Sequence, residues 1–224
     1  MPGGSIARVL DAVLPLQCGG CAAPGTRWCA VCAAQLAVGP GEPRVVAPRL
    51  DLQVPVFALG RYAGARRQAI VAVKERGRAD LVAPLAWAVD AALQRLLSWQ
   101  LVQLPLTIIP APTRRSAARR RGGDPITRIA AAVAGRRCGL TVAPALRMRA
   151  LTRDSVGLGS AARERNVAGR VLLRRRGLPD GGGALGDVLV LDDVVTTGAT
   201  LAESVRVLRG AGVPVSAALV IASV

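Results

Sequence analysis

The chain contains no histidine. That absence excludes every Ser–His–Asp or Cys–His nucleophilic arrangement and every metal site that needs an imidazole. Acid–base work is left to Asp, Glu, Tyr62, Cys138, the lone Lys74 or a substrate's own groups. Aromatics are nearly as scarce at 2% of residues, so the core must be built from Ala, Val and Leu. Trp28, Trp87, Trp99, Tyr62 and Phe57 are too scattered for a stacking platform of the kind single-stranded nucleic acid uses. Acidic residues number 14 against 30 basic ones, and every basic residue except Lys74 is arginine. The formal charge of +16 favours polyanions, whether a pyrophosphate ester or nucleic acid. No apolar run reaches the length of a membrane span, because the helical pattern over Leu81 to Leu97 carries Asp90, Gln94 and Arg95. Arg8 and Asp11 interrupt the short apolar segment at the N-terminus where a secretory signal would be continuous. A cytoplasmic location is the expectation.

The most informative stretch, Val188 to Thr200, reads VLVLDDVVTTGAT. Four apolar β-formers run into two acids, and a Thr/Gly loop opens an amphipathic helix. This order predicts a buried parallel strand that delivers its chemistry at the carboxyl end, where open α/β sheets bind ligands. Asp192 and Asp193 can accept hydrogen bonds from vicinal hydroxyls. Thr196, Thr197, Gly198, Ala199 and Thr200 offer hydroxyls and closely spaced N–H groups to a phosphate. Three other readings exist. A Walker B strand would need a G-x-x-x-x-G-K-[ST] loop, which the chain lacks. An acidic metal-binding strand end leaves TTGAT unexplained. A capping box between Thr200 and Glu203 is compatible with phosphate binding rather than opposed to it.

The stretch resembles, over all thirteen positions, the PRPP (phosphoribosyl pyrophosphate) signature of type I phosphoribosyltransferases. The resemblance implies an α/β fold with a mainly parallel sheet flanked by helices, and Mg²⁺–PRPP as substrate.

Cys18-x-x-Cys21 and Cys29-x-x-Cys32 place four cysteines within fifteen residues. Two such knuckles can give a tetrahedral Zn²⁺ four thiolates, with Gly19 and Gly20 easing the first turn. Disulfides, a redox C-x-x-C pair and an iron–sulfur site are the alternatives. The first two suit, respectively, an oxidising compartment and a βαβ context. A closed four-thiolate site is structural rather than catalytic.

Ile6, Val9, Leu10, Val13 and Leu14 recur at helical spacing before this module, and residues 39–50, rich in Pro and Gly, read as a linker. The predicted organisation is therefore an N-terminal helix, zinc module and linker over 1–45, and a phosphoribosyltransferase-like domain over 46–224. Within the latter, Val54 to Leu59 reads as a strand and Ala65 to Arg76 as a helix. A second helix over Asp80 to Leu97 has a face of Leu81, Leu85, Val89, Leu93 and Leu96, and Leu106 to Ile109 is a strand. Asp124 and Pro125 announce a further helix with the stripe Ile126, Ile129, Ala130 and Val133. Thr141 to Leu146, Val171 to Leu173 and Val213 to Val224 complete the strands, with a charged helical segment at Ser160 to Asn166. Strands alternating with helices predict a mainly parallel sheet.

Five arginines lie between Arg114 and Arg121, directly after a strand and before Gly122 and Gly123. An arginine run is ordinarily a solvated face; this position suits an anion-gripping loop. By resemblance, Ala111 to Arg115 would hold pyrophosphate and Ala117 to Gly123 would form a flexible loop. The four-cysteine module, the K-x-x-G-R segment at Lys74, the arginine loop and the terminal DDVVTTGAT together resemble ComF/GntX-type proteins, phosphoribosyltransferase-like proteins linked to competence and DNA uptake. That resemblance implies Asp192, Asp193, Lys74, Arg114 and Arg115 as catalytic positions, an unidentified small-molecule acceptor such as a nitrogenous base, and the DNA-uptake machinery or single-stranded DNA as partner. A non-catalytic scaffold that binds single-stranded DNA or senses PRPP is the rival. Where family members read RGFNQ, this chain has Arg121 to Pro125 without the aromatic or the amide. Ser155 stands for a family glutamine, while Arg163, Arg165 and Asn166 keep the flavour of their region.

Overall fold

A computed structural model describes residues 16–113, 123–149, 169–174, 178 and 186–224. In chain order its elements are α1 (Ala30–Leu36), β1 (Arg44–Val46), β2 (Val56–Ala58), α2 (Gly64–Glu75), α3 (Val82–Ser98, entered through a 3-10 turn at Ala79–Leu81), β3 (Leu106–Pro110), α4 (Pro125–Ala134), β4 (Leu140–Val142), β5 (Leu146–Met148), β6 (Val171–Leu173), β7 (Asp187–Val195), α5 (Ala199–Gly210) and β8 (Val215–Ser223). Six strands form one sheet in the order β1-β2-β8-β7-β3-β4. Only the β1–β2 pair is antiparallel. β5 and β6 make a separate antiparallel ribbon.

The central strands β7 and β8 are nearly uninterrupted runs of Val, Leu, Ile and Ala because both faces of a parallel sheet are covered. Leu189, Leu191, Leu219 and Ile221 point into a core with Ile70 and Val73 of α2, Leu85 and Leu93 of α3, and Ile129 of α4. Val188, Val190, Ala218 and Val220 face the other way, toward Leu201, Val205 and Leu208 of α5 and the β5–β6 ribbon. The predicted apolar face of α3 is buried throughout, and so is the predicted stripe of α4. Asp124 caps α4 as its sequence indicates, accepting from the Thr127 N–H at 3.1 Å with Pro125 in the first turn.

Among the described residues one helical stretch, Ala79–Ser98, is long and apolar enough to cross a membrane by length and composition, although its charges argued otherwise from sequence. It is a core helix: 56% of its most apolar stretch is buried, and Asp90 within it pairs with Arg137 at 2.5 Å. Two sequence expectations need correction. Residues 39–50, read as a linker, contain β1, a strand of the main sheet. The single strand expected over Thr141 to Leu146 is divided, because the chain turns at Ala143–Ala145 and leaves β4 in the main sheet and β5 in the ribbon. The helices expected near Ile6–Leu14 and Ser160–Asn166 lie outside the described residues.

Connectivity decides where a ligand can sit. From β3 the chain moves outward to β4, by way of α4 on one face. From β7, the neighbour of β3, it moves the opposite way to β8, by way of α5 on the other face. Loops leaving the carboxyl ends of β3 and β7 therefore diverge and open a crevice between them, the switch point at which open α/β sheets bind their ligands.

Candidate functional site

Asp192 and Asp193 lie near the carboxyl end of β7, at this crevice. Each folds one carboxylate oxygen back onto its own strand: Asp192 accepts from the Asp193 N–H at 2.8 Å, and Asp193 from the Val194 N–H at 2.7 Å. The other oxygen of Asp193 meets Lys74 Nζ at 2.6 Å. Asp193 is buried and Lys74 half-buried, so α2 supplies a cation to an acid of β7. The second oxygen of Asp192 has no partner among the described residues. Burial of its carboxyl, and next the charge of Asp193, push Asp192 up to about 8, against the pull of Lys74. Burial lowers Lys74, but the charge and hydrogen bond of Asp193, with Asp192 and Glu75 behind them, outweigh it and hold Lys74 above the ordinary lysine value. An acid pair with one ammonium suits a ligand that brings both hydroxyl donors and negative charge.

The loop after β7 turns at Gly198, whose φ of 85° is left-handed and whose missing side chain leaves room for Pro48: a Cβ there would lie 2.8 Å from the Pro48 ring. Gly198 is also the N-cap of α5, and no side chain caps the helix through it. The Thr197 hydroxyl accepts from the Ala199 N–H at 3.4 Å, and the Thr197 carbonyl from the Leu50 N–H at 3.1 Å. Glu203 does not close a capping box with Thr200. Its carboxylate accepts from the Gly169 N–H at 2.7 Å and from Arg206 at 2.7 and 2.8 Å. A positive helix end thus adjoins the acid pair with Thr196 exposed beside it.

Across the crevice, Ala111 continues β3, its N–H donating to the Leu191 carbonyl at 2.8 Å. Thr113 Oγ1 donates to Asp124 Oδ1 at 2.9 Å, so the chain that departs toward Arg114 and Arg115 returns to the point it left. Arg114 and Arg115 themselves lie outside the described residues. The structure therefore brings together Asp192, Asp193, Lys74 and Thr196 to Thr200, with Ala111 on the neighbouring strand.

The four sulfurs of Cys18, Cys21, Cys29 and Cys32 all lie within 4.8 Å of one another, Cys21 and Cys29 at 3.6 Å. None is in a disulfide. Sulfurs about 2.3 Å from a tetrahedral centre are about 3.8 Å apart, so the cluster has the dimensions of a four-thiolate metal site. Burial opposes ionisation of Cys18, yet N–H groups of Cys21, Cys29 and Gly20 directed at its sulfur bring it down to about 6. Burial, and then hydrogen bonds to the neighbouring cysteines, push Cys32 up. Four sulfurs this close become four thiolates only around a cation. Gly19 and Gly20 have a role the sequence did not show: a side chain on Gly19 would strike Leu81, and one on Gly20 would strike Cys32 Sγ. The residue with left-handed φ in this knuckle is Ala22, at 63°.

No family model matches the chain, and no curated protein matches it.

Proposed function

We propose that the protein binds PRPP in the crevice between β3 and β7, that it has the type I phosphoribosyltransferase fold, and that it is a phosphoribosyltransferase of ComF/GntX type. The observation that carries this reading is the acid pair on β7 set beside the N-terminus of α5, whose N-cap Gly198 has no side chain, at the switch point of the sheet. The 5-phosphate would take the N–H groups and hydroxyls of Thr196 to Thr200. The ribose hydroxyls would donate to Asp192 and Asp193. Pyrophosphate would lie toward Ala111, Arg114 and Arg115. Mg²⁺ would travel with PRPP, and carboxylate oxygens are ligands it accepts.

The C1–O bond breaks with its electron pair leaving on pyrophosphate, through an oxocarbenium-like transition state, and an acceptor nitrogen then takes C1. The chain's own contribution is positioning and charge neutralisation, for which Lys74 and arginine suffice without histidine. The four cysteines hold a structural metal, assigned as zinc from the all-thiolate donor set.

The test is PRPP affinity with and without Mg²⁺ for the wild type, Asp192→Asn and Asp193→Asn. Wild-type binding that the substitutions weaken is expected; a wild type that binds no PRPP ends the reading. Release of pyrophosphate with one of a panel of nitrogenous bases then separates transferase from PRPP sensor.

A second reading, a scaffold for single-stranded DNA, draws on one observation. Trp87 is 62% exposed, with the Arg136 guanidinium stacked 4.0 Å from its ring, a base-sized surface on a strongly basic chain. A titration across salt concentration decides it: binding should fall steeply with salt, and absence of binding at low salt removes it.

A further inference from the structure

Lys74, in the last turn of α2, and Arg78, just beyond it, reach different partners. Lys74 pairs with Asp193. Arg78 reaches back into the cysteine module, its Nη1 donating to the Gln17 carbonyl at 3.1 Å and its Nη2 to the Arg27 carbonyl at 3.3 Å. Gln17 directly precedes Cys18, and Arg27 lies two residues before Cys29. Asp80 takes the rest of the fork, from Nε at 2.8 Å and Nη2 at 2.7 Å, and so fixes the plane of the guanidinium.

Between the two side chains the backbone has little freedom. The N–H groups of Arg76 and Arg78 both donate to the Ala72 carbonyl at 3.1 Å, and Gly77 makes the reversal at a φ of 65°. Leu81 then packs onto Gly19 of the first knuckle. The turn from Lys74 to Leu81 is thus fastened to the acid pair at one end and to the cysteine module at the other.

Both carbonyls belong to the backbone of the knuckles, where the Arg27 carbonyl also accepts from the Gly19 N–H at 2.9 Å, and closure of four sulfurs as thiolates requires the metal. We propose that the tetracysteine module is a positioning device for Lys74: metal on Cys18, Cys21, Cys29 and Cys32 fixes the two carbonyls, these fix Arg78, and Arg78 fixes the turn that presents Lys74 to Asp193, so that metal occupancy sets the affinity of the crevice for a phosphoribosyl ligand. Arg78 is a positioning residue here, acting through Lys74. The ligand arm of this inference rests on the PRPP reading; its structural arm does not. Linkage makes the effect reciprocal, so the ligand should raise zinc affinity by the same factor that zinc raises ligand affinity.

The experiment has two readouts on the full chain. The first is amide hydrogen exchange, comparing the zinc-loaded wild type, the chelated wild type and zinc-loaded Arg78→Gln. Exchange at Arg76 and Arg78 should quicken about tenfold or more in the latter two, with Leu189 to Leu191 of β7 unchanged in Arg78→Gln. Should chelation loosen the sheet as well, Arg78→Gln with its metal retained decides. Unchanged exchange at Arg76 and Arg78 in that variant overturns the proposal. The second readout is Mg²⁺–PRPP affinity, expected to fall about tenfold on chelation or in Arg78→Gln, and no further when the two are combined. In Lys74→Ala the affinity should no longer depend on metal; persistence of the full dependence there also overturns it. Coupled exchange in a protein that binds no PRPP would uphold the positioning role and sink the PRPP reading. PRPP binding indifferent to metal, with uncoupled exchange, would do the reverse.

Discussion

Gly19 and Gly20 illustrate how one residue type serves two purposes that sequence does not separate. Neither has a positive φ; both are glycine because a neighbour occupies the space of a side chain. Gly20→Ala, meeting Cys32 Sγ and Trp28, is expected to destabilise the zinc-loaded protein by about 1–3 kcal/mol. Ala22→Gly should stay within about 1 kcal/mol of wild type, since relief of the left-handed strain offsets the entropy glycine adds to the unfolded chain. Denaturant midpoints of the two loaded variants check the contrast, and equal losses would contradict it. Asp192 gives a pH prediction. Its folded value of about 8 lies above the ordinary carboxyl value of about 4. The folded chain therefore binds this proton more tightly, and the stability so conferred is present below about pH 4 and lost as pH rises through about 8. Asp192→Asn should gain on the wild type steadily over that interval and level off above it. A gap that stays constant with pH would show that Asp192 is not the group responsible.

Among the elements, those announced by local chemistry were legible in advance. The cap and stripe of α4, the buried face of α3 and the strand–loop–helix of β7 and α5 all depend on residues within one turn or one strand of each other. What was hidden depends on distant partners. Glu203 has the spacing of a capping box, but Gly169 and Arg206 compete for its carboxylate and win. The three residues of β1 look like linker because an edge strand needs apolar contact on little of its length. Lys74 and Asp193 are brought together by packing of α2 on the sheet, and no periodicity reveals such a pair. Of the candidate site, Asp192, Asp193 and the Thr/Gly loop were readable as a unit, whereas the anchoring of Arg78 to two carbonyls was not. The start of α5 supplies the test at this scale. Gly198→Ala combines a left-handed φ with contact on Pro48, and should cost about 1–2 kcal/mol or more in an unfolding titration. PRPP affinity should fall with it, because the N–H groups of the helix start are re-aimed; unaltered affinity would place the phosphate elsewhere.

At the scale of the whole molecule the cysteine module is fastened to the chain that follows it at several points. Leu81 packs on Gly19, Gln35 Oε1 accepts from the Ala65 N–H at 3.3 Å, and Arg78 holds two module carbonyls. Removing the metal should therefore lower the Tm of the entire chain, by about 5 °C or more if about 2 kcal/mol of closure energy reaches the sheet. Calorimetry with and without chelator checks this, and an unchanged Tm would remove the structural role of the metal. Among the described residues the sheet ends on both sides in strands of three residues, Arg44–Val46 and Leu140–Val142. Neighbouring molecules recruit each other most readily along long, flat, unpaired edges. Edges this short offer little for a second chain to copy. Lengthening β1 by a few β-branched residues is therefore expected to promote edge-to-edge association, which light scattering would detect.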